Sequence, residues 1–162
     1  MSGPVVSLRE ITAETVRAIC DLEPHEAQSG FVAPNAVSIA QAHFNPAAVF
    51  RAIYADEYPV GFIMWRPGDD GASCFLWRFM IDGRHQGKGY GREAIALWLT
   101  SLPAQGYRFA RLSYLPGDAG PHRFYLAQGF RDTGETRANG ERLMELALSW
   151  CRDPGSKGKA SR

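Results

Sequence analysis

Residues 79–95 read Phe-Met-Ile-Asp-Gly-Arg-His-Gln-Gly-Lys-Gly-Tyr-Gly-Arg-Glu-Ala-Ile, and no other stretch restricts the fold as much. An apolar run ends at Ile81, and Gly87, Gly89 and Gly91 then alternate with Lys88 and Tyr90. Beyond them Ala94, Ile95, Leu97, Trp98, Leu99 and Leu102 fall at helical spacing. The pattern predicts a strand, a tight loop and the start of a helix. Glycine lets the backbone come close to a ligand, and the first-turn amides of a helix have no partner within it. Such a turn is an anion site, and phosphate is the expected guest. The positive end of the helix dipole acts on the same spot, and Lys88 and Arg92 add charge.

Spacing separates the nucleotide-type readings of this loop. A Walker A loop needs four residues between its first glycine and Gly-Lys-Ser/Thr. Gly83 and Gly87 are separated by three, and Gly89 stands where the hydroxyl should be. A dinucleotide fingerprint needs Gly-x-Gly-x-x-Gly, whereas Gly87, Gly89 and Gly91 run Gly-x-Gly-x-Gly, with no acidic residue ending a strand about 20 residues on. Gln86, Gly89 and Gly91 do satisfy Gln/Arg-x-x-Gly-x-Gly/Ala between a strand and a helix. On these residues the chain resembles the GNAT superfamily of N-acetyltransferases, whose members hold the pyrophosphate of acetyl-CoA on this loop.

Composition narrows the class. The chain has 162 residues, the size of one domain with its own core. A net charge of +1 argues against a large basic face, so nucleic acid is not an expected partner. No apolar run approaches a membrane span, and the N-terminus has neither a basic start nor an apolar signal core. No membrane partner is expected, and the cytoplasm is the expected location. Cys20, Cys74 and Cys151 are widely spaced, with no Cys-x-x-Cys and no histidine at ligand spacing, so no metal or disulfide framework is expected.

In chain order, residues 5–10 read as a strand and Thr12 as a helix N-cap. Residues 23–35 read as a loop folded onto the body, and Ser38 as the cap of a short second helix ending near Asn45-Pro46. Residues 49–54, 60–65 and 74–81 read as strands, the last apolar enough to be central. A helix follows the glycine loop as far as Pro103. Then come a strand at 109–114, a short helix from Pro121 to Gln128 ended by Gly129, and a hairpin with a type I′ turn at Asn139-Gly140. A single domain over 1–150 and a disordered tail over 151–162 are expected. The predicted class is α/β (α+β), a mixed central sheet of about seven strands flanked by about four helices. This is the element order of the GNAT acyl-CoA N-acyltransferase fold, which the resemblance covers from about residue 5 to 148.

A second motif strengthens the resemblance: Phe124-Tyr125-Leu126-Ala127-Gln128-Gly129-Phe130 resembles the Tyr-x-x-x-Gly-Phe that closes the GNAT core. The resemblance implies an acetyl-CoA-dependent N-acetyltransferase acting on a small-molecule primary amine by direct transfer, and it allows a homodimer. It implies that Phe79, Met80 and Ile81 bond the pantetheine arm by strand addition. Gln86, Gly87, Lys88, Gly89, Tyr90, Gly91 and Arg92 would hold the pyrophosphate, with Asp118 also in the cofactor set. Tyr125 would be the general acid for the departing thiolate.

The base is left open. In related polyamine acetyltransferases an acidic residue lies two positions before Phe79, where this chain has Trp77. Glu23, Glu26, Asp56, Glu57 and a water chain are the candidates. The stretch from Leu76 to Asp82, the glycine loop and Asn139-Gly140-Glu141 look most like bacterial spermine/spermidine acetyltransferases. Glu23, Glu26 and Trp77 are therefore the expected acceptor-side residues, the two glutamates suiting a cationic amine. Aminoglycosides, amino acids, protein N-termini and a non-catalytic acyl-CoA-sensing role are the alternatives.

Overall fold

A computed structural model describes residues 2–149; the expected tail lies outside the described residues. Seven strands form one sheet in the order β1-β2-β3-β4-β5-β7-β6. They are β1 (Val6–Arg9), β2 (Val49–Ala55), β3 (Tyr58–Pro67), β4 (Ser73–Ile81), β5 (Phe109–Tyr114), β6 (Arg131–Thr136) and β7 (Arg142–Ala147). Four helices complete it: α1 (Val16–Cys20), α2 (Asn35–His43), α3 (Tyr90–Ser101) and α4 (His122–Ala127). The β4–β5 pair is parallel, and every other neighbouring pair is antiparallel. The expected class and element order are both present.

Each face of the sheet carries its own core. Ala94, Ile95, Trp98 and Leu102 of the helical stripe pack on Ile53, Ile63, Leu76 and Leu112, with Tyr125, Phe130 and Met144 closing that layer. On the opposite face Ile19, Leu22 and Ala42 cover Ala52, Phe62, Met64 and Met80. Burial on both faces explains why β3 and β4 read as nearly continuous apolar runs rather than alternating ones.

Three local readings are corrected. The helix expected from Thr12 begins after Thr15, because Thr15 Oγ1 accepts the Thr12 amide and residues 12–15 form a turn instead. The second helix begins at Asn35, not after Ser38, because Pro34 supplies an extended N-cap. The last hairpin does not use a type I′ turn, which needs positive φ at both central residues. Only Gly140, at φ 86°, is left-handed there, and the Gly140 amide donates to the Arg137 carbonyl at 2.9 Å. The loop has three residues, 138–140, and Asn139 stabilises it by accepting the Glu141 amide at 3.1 Å.

Gly61 on β3 sits opposite Ile81, where β4 enters the glycine loop. A Cβ there would collide with the Met80 carbonyl oxygen and the Ile81 side chain. Gly61→Ala is therefore expected to destabilise the protein by about 1–3 kcal/mol through overpacking, read from urea midpoints. An unchanged midpoint would show that β3 and β4 are not pressed together at this point.

Candidate active site

The central pair of strands parts. Parallel register joins Ser73–Phe109, Cys74–Ala110, Phe75–Arg111 and Leu76–Leu112, and there it stops. β4 continues five residues to Ile81 and β5 two to Tyr114 without pairing to each other. The divergence begins at a bulge: β3 pairs Trp65 with Leu76 and Met64 with Arg78, so Trp77 is the extra residue. Trp77 packs with the α1–α2 core, and Arg78 reaches Gln41 of α2 at 3.0 Å. The bulge thus sends two successive side chains to one face and frees the β4 edge toward β5.

At the wide end of this gap lies the glycine loop. Gly87 and Gly89 have φ of 76° and 86°, which side-chain-bearing residues adopt only with strain. The amides of Lys88, Gly89, Tyr90, Gly91 and Arg92 donate to no acceptor among the described residues. Five free donors at a helix N-terminus form an anion cradle.

Two side chains hold that cradle. Asp82, 3% exposed, accepts the Glu23 amide at 3.1 Å, the Arg84 amide at 3.0 Å and Arg84 Nε at 2.9 Å. Burial would push its carboxyl up, but the Arg84 guanidinium and the two amides outweigh that and hold it below the ordinary aspartate value. Gln86 Nε2 donates to the Ile81 carbonyl at 2.9 Å and to Gln28 Oε1 at 2.7 Å. The motif glutamine thus ties the glycine loop to both the strand and the α1–α2 loop.

The α1–α2 loop also reaches the far side of the gap. A Cβ on Gly117 would come within 3.1 Å of the Phe31 ring, and one on Gly120 within 3.2 Å, so Phe31 lies against the turn after β5. Beneath this contact is a cavity of about 1050 Å³ that runs along β4 from Phe75 to the glycine loop. Tyr125 lines it, edge-on to Phe124 at 5.3 Å, and Phe124 stacks on Phe79 at 5.7 Å. Burial pushes the Tyr125 phenol well above its ordinary value.

Of the residues singled out in the sequence, Trp77, Phe79, Met80, Ile81, Gln86, Gly87, Gly89, Tyr90, Gly91, Arg92 and Tyr125 line this one cavity. Lys88 and Asp118 do not line it, although the Lys88 amide belongs to the free run. Glu23 and Glu26 also stand outside the lining, and Glu23 serves the site only through its backbone, to Asp82 and Gly83. Asp56 and Glu57 form the β2–β3 turn and bind Val5 and Arg9. Among the described residues the carboxylate that does line the cavity is Glu141, which accepts a hydrogen bond from Ser113 Oγ at 2.8 Å. Its only sequence signal was its place beside Asn139-Gly140, which marks a turn and says nothing of the distant strand it meets.

Comparison with known proteins agrees with this geometry. Residues 13–130 match the model of the acetyltransferase (GNAT) family, and the chain belongs to that family of acetyltransferases. It is 28% identical over 155 residues to a spermine/spermidine N(1)-acetyltransferase of Bacillus subtilis (strain 168), covering 88% of this chain and 99% of that one. Among solved structures, a putative GNAT acetyltransferase from Desulfovibrio desulfuricans superposes with a TM-score of 0.72 at 16% identity, covering 90% of this chain and 100% of that one. A PaiA N-acetyltransferase from Thermoplasma acidophilum, solved with coenzyme A, gives 0.66 at 16% identity, covering 88% and 99%.

Removing the Asp82 charge tests the anchor. Asp82→Asn is expected to cost about 1–3 kcal/mol at neutral pH, the range for leaving buried donors without their acceptor. Because the folded carboxyl titrates below its unfolded value, its contribution is complete above pH ~4 and is lost as pH falls through the folded value. Stability curves of the wild type and the variant should therefore converge in acid. Parallel curves down to pH 2 would remove Asp82 from this role.

Proposed function

We propose that this protein is an acetyl-CoA-dependent N-acetyltransferase that moves the acetyl group to a primary amine within a ternary complex. The observation that carries this reading is the gap between β4 and β5, with five free amides at one end and Tyr125 in its wall. The free β4 edge beyond Leu76 suits an extended pantetheine arm as an added strand, and the amide cradle suits a pyrophosphate. When bound, acetyl-CoA supplies an activated acyl group as a thioester.

The chain's own residues then have two protons to manage. An alkylammonium of pKa ~10 must lose one before it can attack, and a departing thiolate of pKa ~8.5 must gain one. Tyr125, its phenol raised by burial, keeps its proton throughout the neutral and mildly alkaline range and serves as the acid for the sulfur. Glu141 is the carboxylate in the cavity wall available to receive the amine's proton. Direct transfer is supported by the thiols: neither Cys20 nor Cys74 lines the cavity, and burial pushes Cys74 up to about 12, leaving it a poor nucleophile. The acceptors in the Bacillus subtilis relative's name, spermine and spermidine, support including polyamines among the amines tested.

Thiol release from acetyl-CoA against a panel of polyamines, amino acids, aminoglycosides and short peptides tests the reading. Turnover is expected with at least one amine, whereas a melting temperature raised by acetyl-CoA with no amine-dependent release would favour an acyl-CoA-sensing domain. Tyr125→Phe should lower turnover on the order of 100-fold while leaving acetyl-CoA affinity unchanged; unaltered turnover would remove Tyr125 from the acid role. With wild type, the rate should climb between pH 7 and 10 with the free-amine fraction and show no downturn from Tyr125 ionisation. A fall beginning near pH 9 would contradict a phenol raised by burial.

A further inference from the structure

Beyond the glycine loop the cavity has a charge pattern that a diphosphate at the loop does not explain. Arg66 of β3, Arg78 of β4, Arg137 of the β6–β7 turn and Glu141 all line it, three guanidinium groups against one carboxylate. Two aromatic rings gather the cations. Arg66 and Arg137 lie over Phe75, at 5.1 and 4.8 Å from its centroid, and Arg78 lies 5.5 Å from that of Trp77. Arg66 also pairs with Phe75 in the β3–β4 register, six residues along β4 from Ile81. At ~3.3 Å per residue that places Arg66 roughly 20 Å from Ile81, where β4 enters the loop, and Arg78 roughly 10 Å from it. A diphosphate held at the loop amides therefore leaves this second cationic region to another ligand.

These guanidinium groups are poorly neutralised. Arg137 meets Glu141 at 3.9 Å, and Arg66 meets Asp69 at 3.8 Å, but Asp69 is fully exposed on the turn after β3 and does not line the cavity. Arg78 makes no ion pair among the described residues. Its Nη1 donates to the Trp77 carbonyl at 2.9 Å and its Nη2 to Gln41 Oε1, while its Nε is buried and finds no acceptor. Burial pushes Arg78 below the ordinary arginine value, with Glu141 opposing that shift. A buried donor left without an acceptor is costly unless a ligand supplies one, and guanidinium matches a carboxylate through paired N–H···O bonds.

Resting on the transferase reading above, we propose that the acceptor is a small primary amine that also bears a carboxylate, bound as a zwitterion. Arg66, Arg78 and Arg137 hold the carboxylate, and Glu141, with Ser113 against it, faces the ammonium. Three guanidinium groups repel a polyammonium chain, and one carboxylate does not offset them. Glu23 and Glu26, the acids expected to attract a polycation, are not in this wall.

Matched acceptors decide the matter: lysine against cadaverine, ornithine against putrescine, spermidine alone, and phosphoethanolamine against ethanolamine. Each is measured by thiol release at saturating acetyl-CoA and by calorimetric binding to the CoA-loaded protein. The carboxylated member should win each amino-acid pair by at least about 10-fold in kcat/KM and in affinity. Arg78→Met and Arg137→Gln should remove that preference chiefly through KM, with KM for acetyl-CoA unchanged. Arg137 lies on an exposed turn, so its variant serves even if Arg78→Met fails to fold. Preference for spermidine or for the decarboxylated partners, equal losses on both members of a pair, or preference for phosphoethanolamine would overturn the proposal. Absence of thiol release overturns only the transferase reading, because calorimetry still ranks the pairs. Equal binding, or none, overturns this one.

Discussion

The β4–β5 ladder holds for four parallel pairs and then ends, and the rest of the site follows from that ending. A sheet that stayed closed would bury its edges and offer no room between its central strands. Here the extra residue at Trp77 bends β4 away while β3 continues to pair with it as far as Ile81, so the strand diverges from one neighbour without losing the other. The hydrophobic layers on both faces tolerate the opening because α3 and α4 pack under it from one side and α1 and α2 from the other.

An open gap with free backbone donors has to be kept in shape by groups outside it. Asp82 and Gln86 do so at the glycine loop, each binding both the loop region and the α1–α2 segment, and Phe31 does so at the far side by meeting Gly117 and Gly120. The two ends of the cavity differ in how they present positive charge. Backbone amides on a helix terminus can hold an anion whatever side chains the loop carries, whereas the positive charge over Phe75 and Trp77 depends on arginine side chains. On the two proposals above, cofactor binding and acceptor choice rest on separate sets of residues within one cavity.

Those two sets were not equally legible in the sequence. The glycine loop, the α3 stripe and the Tyr125 motif are local patterns, in which spacing alone fixes which atoms are adjacent, and all three fold as the spacing predicts. The bulge at Trp77 leaves no mark, because an extra residue in an apolar run looks like one more strand residue. The cavity's acidic residue was equally hidden. Glu141 meets Ser113 across 28 positions through the β5–β7 neighbourhood, while Glu23, Glu26, Asp56 and Glu57 lie in loops that suggested proximity but are engaged elsewhere or stand outside the wall. The Asn139-Gly140 turn was found in place and wrong in type, since Asn139 uses its side chain to accept an amide instead of adopting positive φ.

On the proposed reading, the parted strands and the free amide run form one binding surface for acetyl-CoA. Backbone amide hydrogen exchange, resolved by residue with and without acetyl-CoA, tests it most directly. Protection is expected to rise at Lys88, Gly89, Tyr90, Gly91 and Arg92 and along the β4 edge at Phe79 to Ile81, with little change in β1 and β2. Protection confined to other elements, or spread evenly over the sheet, would contradict it.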